Sequence, residues 1–249
     1  MDQAAPTSHG GSAQAGWLGA KGVALAADGF PAGHMVATQV GPARTVTFAP
    51  SAASDDANQG AARGVGHLVL GHGAGGGTWS ADLVLLTSLV DAGWRVTLVE
   101  QPWRVAGRRV AARPEVLDRA WVNVLTAVRE RDGDRRPLVV GGRSAGARVA
   151  CRTVEAVLPD AVLALAFPLH PPGRPERSRA DELRHILDRG VPLLVVNGQR
   201  DPFGGPGEIE AVVGDRATVV EVAGAHAFAR DPLDVLHACR TWLARRPWE

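Results

Sequence analysis

Between Leu138 and Val157 the chain passes from a short apolar run, Leu138–Val140, straight through Gly-Gly-Arg-Ser-Ala-Gly into a helical pattern over Ala147–Val157. Few architectures accommodate so abrupt a passage from strand to helix. Gly142 and Gly146, two residues either side of Ser144, let neighbouring backbones approach where a Cβ would clash. Such a turn lifts the serine hydroxyl off the end of the strand. It also sets the next N–H, that of Ala145, at a helix N-terminus, ready to meet developing negative charge. In a chain with 30 glycines the pentapeptide Gly142-Arg143-Ser144-Ala145-Gly146 is weak evidence by itself, so its surroundings decide.

The surroundings are strands and helices in alternation. His67–Leu70, Arg95–Val99, Val162–Phe167, Pro192–Val196 and Thr218–Val222 read as strands, with Val23–Ala27 and Thr45–Ala49 as two weaker ones and Ser51–Gly64 as a polar loop. Ser80–Ala92 reads as a helix stopped by Gly93. Pro114 opens another, with Leu117, Trp121, Val124 and Val128 on one face. In the last helix Asp231 can cap, Pro232 sits in the first turn, and Leu236, Cys239 and Leu243 line one side. Near-continuous apolar strands between amphipathic helices imply a mostly parallel sheet covered on both faces, an α/β fold.

The 249 residues suit one such domain, expected over 21–249 behind a flexible leader of residues 1–20. A net charge of +1 gives no global reason to expect nucleic acid or an acidic membrane surface as partner. Cys151 and Cys239 fall in helical segments and read as buried free thiols. The first sixteen residues lack a basic start and an apolar core, and no apolar run approaches the roughly 20 residues of a membrane span. The expectation is a soluble, cytoplasmic protein.

A serine nucleophile needs a second oxyanion donor, a base and an acid. The loop after His67–Leu70 reads His72-Gly73-Ala74-Gly75-Gly76-Gly77, and its small residues let the Ala74 amide face the same oxygen as that of Ala145. A phosphate-cradling loop is the alternative, but the lysine of a P-loop and the dinucleotide spacing are both missing. No cofactor and no metal site are expected. Of eight histidines, His226 in Gly-Ala-His-Ala-Phe lies between the last strand and the last helix, where the base of a nucleophile-elbow fold belongs. Asp201 in Asn-Gly-Gln-Arg-Asp-Pro-Phe follows the strand Pro192–Val196 and would orient that histidine. An ordinary loop histidine and a turn-capping aspartate before proline are the bland readings of the two. The order serine, aspartate, histidine matches the required one.

With LVLGHGAGGG, GGRSAGAR, FPLHPPGRPERSR and NGQRDPFG on the page, the chain resembles the small α/β-hydrolases related to dienelactone hydrolases. That family also contains subunit three of the vertebrate non-specific-lethal histone acetyltransferase complex. The resemblance runs from about His67 to the C-terminus. It implies an α/β-hydrolase fold with a minimal cap or none, and Ser144, Asp201 and His226 as the catalytic triad. Dienelactone hydrolases proper carry cysteine at the elbow, so their specific activity does not transfer to Ser144.

Pro102–Arg109, Arg143 and the arginines of the Pro171–Gly190 excursion would form a basic rim if their loops converge over Ser144. His72, which also shapes its own turn, Arg143, Arg104 and His170 are therefore candidate substrate contacts, and the substrate a small ester, anionic if the arginines bind it. The excursion is too short for a cap domain, which favours small esters over long lipids. Solvated arginines are the bland alternative. A silent binding module on the same fold, and acyl transfer in place of hydrolysis, are the competing functions.

Overall fold

The computed structural model describes residues 33–50, 65–133, 137–228 and 232–248. The leader, the strand Val23–Ala27, the loop 51–64 and the cap Asp231 lie outside the described residues.

Eight strands form one sheet: β1 (His34–Val36), β2 (Ala43–Phe48), β3 (Gly66–Gly71), β4 (Trp94–Glu100), β5 (Leu138–Arg143), β6 (Ala161–Leu165), β7 (Leu193–Gly198) and β8 (Thr218–Val222). Their order is β1-β2-β4-β3-β5-β6-β7-β8. β1 pairs antiparallel with β2 and β2 with β4, and every pairing from β4 to β8 is parallel. The strands of the middle are buried on both faces, which is why they read as unbroken apolar runs. Alternate residues serve opposite layers: Leu68 and Leu70 point to one core and Val69 to the other.

On one face lie α1 (Ala81–Leu86) and α8 (Leu233–Ala244), which bury Leu83, Leu86, Val235 and Cys239. On the other lie α3 (Pro114–Asp132), α4 (Ala145–Arg152), α6 (Ala180–Leu187) and α7 (Pro206–Val213). Shorter helical turns among the described residues include α2 (Pro102–Val105) and α5 (Val154–Val157).

The structure adjusts several expected boundaries. The helix expected over Ser80–Ala92 is α1 followed by a tighter 3-10 turn over Thr87–Ala92, and Gly93 ends it at φ 84°. The helix expected over Ala147–Val157 breaks at Thr153, whose hydroxyl bonds the Val149 carbonyl at 2.8 Å. The Pro171–Gly190 excursion is an exposed turn over 172–178 followed by α6, an ordinary crossover helix packed on α4 and α7 rather than a cap. Both cysteines are free and buried.

β3 has β4 on one side and β5 on the other, so successive connections leave it in opposite directions. Open α/β sheets place their ligands at the carboxyl ends of the strands at such a point.

Candidate active site

Ser144 closes β5 and opens α4 with φ 52° and ψ −107°, a conformation that side-chain-bearing residues rarely adopt. Its N–H is held by the Leu165 carbonyl of the neighbouring strand at 2.8 Å. The strained turn survives because the backbones around it interlock. A Cβ on Gly142 or on Gly146 would collide with the carbonyl of Gly71, and one on Gly71 would stand 3.3 Å from the Gly146 Cα. The glycines of the elbow are thus demanded by β3 and not only by the turn itself.

His226 lies in the loop after β8. Its Nε2 is 3.0 Å from Ser144 Oγ and its Nδ1 is 2.8 Å from Asp201 Oδ2. With Nδ1–H donating to the carboxylate, Nε2 is free to accept the serine proton. The ring is clasped by Phe203, 4.3 Å away between centroids. The Asp201 side chain is 0% exposed and that of His226 22%, so the pair is sealed on the acid side and open on the serine side.

Asp201 is held on both oxygens. Oδ1 accepts the Phe203 N–H at 2.9 Å, and Oδ2 faces the imidazole. Behind it Asn197, fully buried, donates to the Phe167 and Gly204 carbonyls at 3.1 Å each and accepts the Phe167 N–H at 2.8 Å. This amide bolts the end of β6 to the acid turn. Sequence reasoning quoted Asn197 within its motif and gave it no role; a polar residue ending an apolar strand was the available signal. Phe203 was passed over in the same way.

The glycine-rich loop runs beside Ser144: a Cβ on Gly73 would lie 3.6 Å from the Ser144 Cβ. Ala74 follows it, half-buried, and Ala145 begins α4, so both candidate oxyanion donors belong to segments bordering Ser144. A helix leaves its first N–H groups without internal partners, which fits Ala145 for that task.

The four candidate substrate contacts all have partners within the protein. His72 is buried, with Nδ1 donating to the Gly73 carbonyl at 2.7 Å and Nε2 accepting the Gln101 N–H at 3.0 Å. Burial holds its pKa below the usual value, in keeping with a neutral ring; it braces the loop and has no nitrogen left for substrate. Arg104 donates to the Gly76 carbonyl at 2.7 Å and lies over the Trp103 ring, pinning the far end of the same loop. His170 has both nitrogens engaged, at 3.0 Å from the Pro171 carbonyl and 3.0 Å from Glu208. Arg143 turns inward, with its guanidinium on the His226 carbonyl. Each of the four makes contacts within the protein, and loop membership alone does not show which way a side chain points.

Among the described residues no group of three or more His, Cys, Asp or Glu could hold a metal ion, and no helix is long and apolar enough to cross a membrane.

Comparison with known proteins agrees with this fold. Solved structures that superpose on the chain include an α/β serine hydrolase without a lid from Xanthomonas campestris, 22% identical, covering 87% of this chain and 96% of that one, with a TM-score of 0.61. A dienelactone hydrolase from Anabaena variabilis is 16% identical over 86% of this chain and 94% of that one, TM-score 0.58. A cold-adapted esterase from an Arctic intertidal metagenomic library is 14% identical over 86% and 92%, TM-score 0.58. At these identities the likeness is one of fold. Comparison with curated protein sequences finds no match. The family model described as "Alpha/beta hydrolase domain" matches residues 65–232, two thirds of the sequence and every residue of the site, and the chain belongs to that family.

Proposed function

We propose that the protein is a serine hydrolase that cleaves small esters or thioesters through an acyl-enzyme on Ser144. The observation that carries this reading is the unbroken chain from Ser144 Oγ through the His226 ring to Asp201, with links of 3.0 and 2.8 Å. In the reaction His226 takes the hydroxyl proton as Ser144 attacks the acyl carbon. The N–H groups of Ala145 and Ala74 receive the oxyanion, and the imidazolium then protonates the leaving group. The same histidine activates the water that releases the acid. Asp201 holds the ring and balances its transient charge.

The resemblance carried by the Phe167–Arg179 segment supports placing the chain in the dienelactone-hydrolase-related branch that includes the non-specific-lethal subunit. With Arg143 and Arg104 committed to backbone carbonyls, a neutral acyl group is the favoured substrate. Equal turnover of neutral and anionic esters of one acyl length, or faster turnover of the neutral ones, is the expected result.

A fluorophosphonate probe should label the wild type and spare Ser144→Ala, and p-nitrophenyl butyrate should be hydrolysed by the first alone. A folded wild-type sample that neither labels nor turns over would return the chain to the silent binding module. Product trapped on an added alcohol or thiol in preference to water would identify an acyltransferase.

A further inference from the structure

We propose that Arg143 and Asp82 form a positioning clamp on the histidine loop, holding the His226 backbone so that its ring reaches Ser144 and Asp201 together. The inference rests on the reading of those three as the catalytic set.

Arg143 immediately precedes the nucleophile, and its side chain is 13% exposed. One terminal nitrogen donates to the carbonyl of His226 at 2.7 Å. Its Nε stands 3.5 Å from Oδ1 of Asp82, which lies in the first turn of α1 and is 3% exposed. The ring of Phe228 closes the remaining side, 5.9 Å from the guanidinium carbon. A single cation therefore touches the elbow, the helix that follows the oxyanion loop, and the loop of the base.

The geometry is not that of a pair arranged for stability alone. Arg148 with Glu182 and Arg152 with Asp118 close into two-pronged forks on the same protein. Arg143 forgoes that fork: its Nε and the Asp82 Oδ2 are buried without a hydrogen-bond partner, and the guanidinium is spent on a main-chain oxygen. Burial pushes the Asp82 carboxyl up while Arg143 opposes it, and the Cys239 thiol of α8 is the other titratable group in its field. Asp82 offsets the Arg143 charge across 3.5 Å, so the loop is held without a lone buried cation beside it.

The histidine loop needs such a clamp. On its other side it is held by the ring's contacts with Asp201 and Phe203 and by backbone bonds, with Gln199 and Arg200 donating to the Val222 and Gly224 carbonyls at 2.9 Å. Phe228 sits at φ 58°, a turn that relaxes readily once released.

The test is steady-state hydrolysis of p-nitrophenyl butyrate by Arg143→Met, with Ser144→Ala alongside. Misplacing the ring should lower kcat about ten- to a hundredfold and leave KM within about threefold. Methylguanidinium should restore part of kcat to Arg143→Ala, which a merely structural loss would not allow. The downfield proton NMR signal of His226 Nδ1–H, present in wild type and in Ser144→Ala, should vanish or broaden in Arg143→Met. A folded Arg143→Met with kcat within about twofold of wild type, or with that proton signal unchanged, overturns the clamp. Turnover that survives in Ser144→Ala overturns the catalytic reading, and the Nδ1 signal of Arg143→Met then decides the clamp by itself. If Arg143→Met does not fold, Asp82→Asn takes its place: a several-fold fall in kcat supports the clamp and an unchanged kcat overturns it.

Discussion

The imidazole of His170 and the carboxylate of Glu208 meet at 3.0 Å across the turn that carries Asp201. The Pro171 carbonyl, and then Glu208, hold the His170 pKa above its ordinary value. The Gly205 N–H, and then His170, hold that of Glu208 below its own. A raised histidine contributes stability that is complete below its unfolded pKa and lost as pH rises through the folded one. A depressed glutamate contributes stability that is present above its unfolded pKa and lost as pH falls through the folded one. The pair therefore serves best between about pH 5 and pH 6.5. Glu208 is half-exposed, so solvent screening limits the contribution to about 0.5 kcal/mol. Thermal melts at low salt should show a midpoint that declines modestly from about pH 6 to about pH 8.5, and Glu208→Gln should flatten that decline.

Asp201→Asn should keep the fold and lose about three to four orders of magnitude in kcat, because an amide cannot hold the imidazole with Nδ1–H toward it and Nε2 toward the serine. The measurement is kcat against pH, with circular dichroism to verify folding. A loss smaller than about tenfold would move the orienting role to another group.

Asn197→Ala should destabilise by about 3 kcal/mol, since it strips hydrogen bonds from buried groups at Phe167 and Gly204 and leaves a void. The acid turn should loosen with it. Urea unfolding gives the first effect, and a fall in kcat that exceeds any rise in KM gives the second.

The two thiols should be silent. Burial pushes Cys239 up to about 12 and Cys151 further still, so neither is a thiolate at neutral pH. A disulfide exchange reagent should find neither thiol in the native protein and both in guanidinium chloride.

How much of this was legible beforehand varied with the kind of signal. The helix at Pro114–Asp132 announced itself, because a proline at its start and apolar residues three and four apart allow no competing period. β1 was not legible: it is three residues long, two of them are exposed, and its pairing with β2 is a tertiary fact. α7 was missed although Pro206 stands at its first turn and Glu208 reaches back to the Gly205 N–H at 3.0 Å, a start signal the sequence does carry. The break at Thr153 was hidden because a threonine inside a helical pattern states no preference until its hydroxyl finds a carbonyl. At the site, Ser144, Asp201 and His226 could be read from order and position, and the structure brings those three side chains into contact. The directions of Arg143, Arg104, His72 and His170 could not, because each points to a backbone oxygen that only the folded loops supply.

The contact of Gly71 with Gly142 and Gly146 divides the site into what is free to vary and what is not. The address of Ser144 is written in the main chains of β3, β5 and the start of α4, while its chemistry rests on one side-chain atom. Exchanging Ser144 for cysteine leaves the Gly71 contacts in place, whereas a single methyl group on Gly146 would push α4 off β3. Such a scaffold lends itself to new reactivity at a fixed point in space and resists any drift of that point.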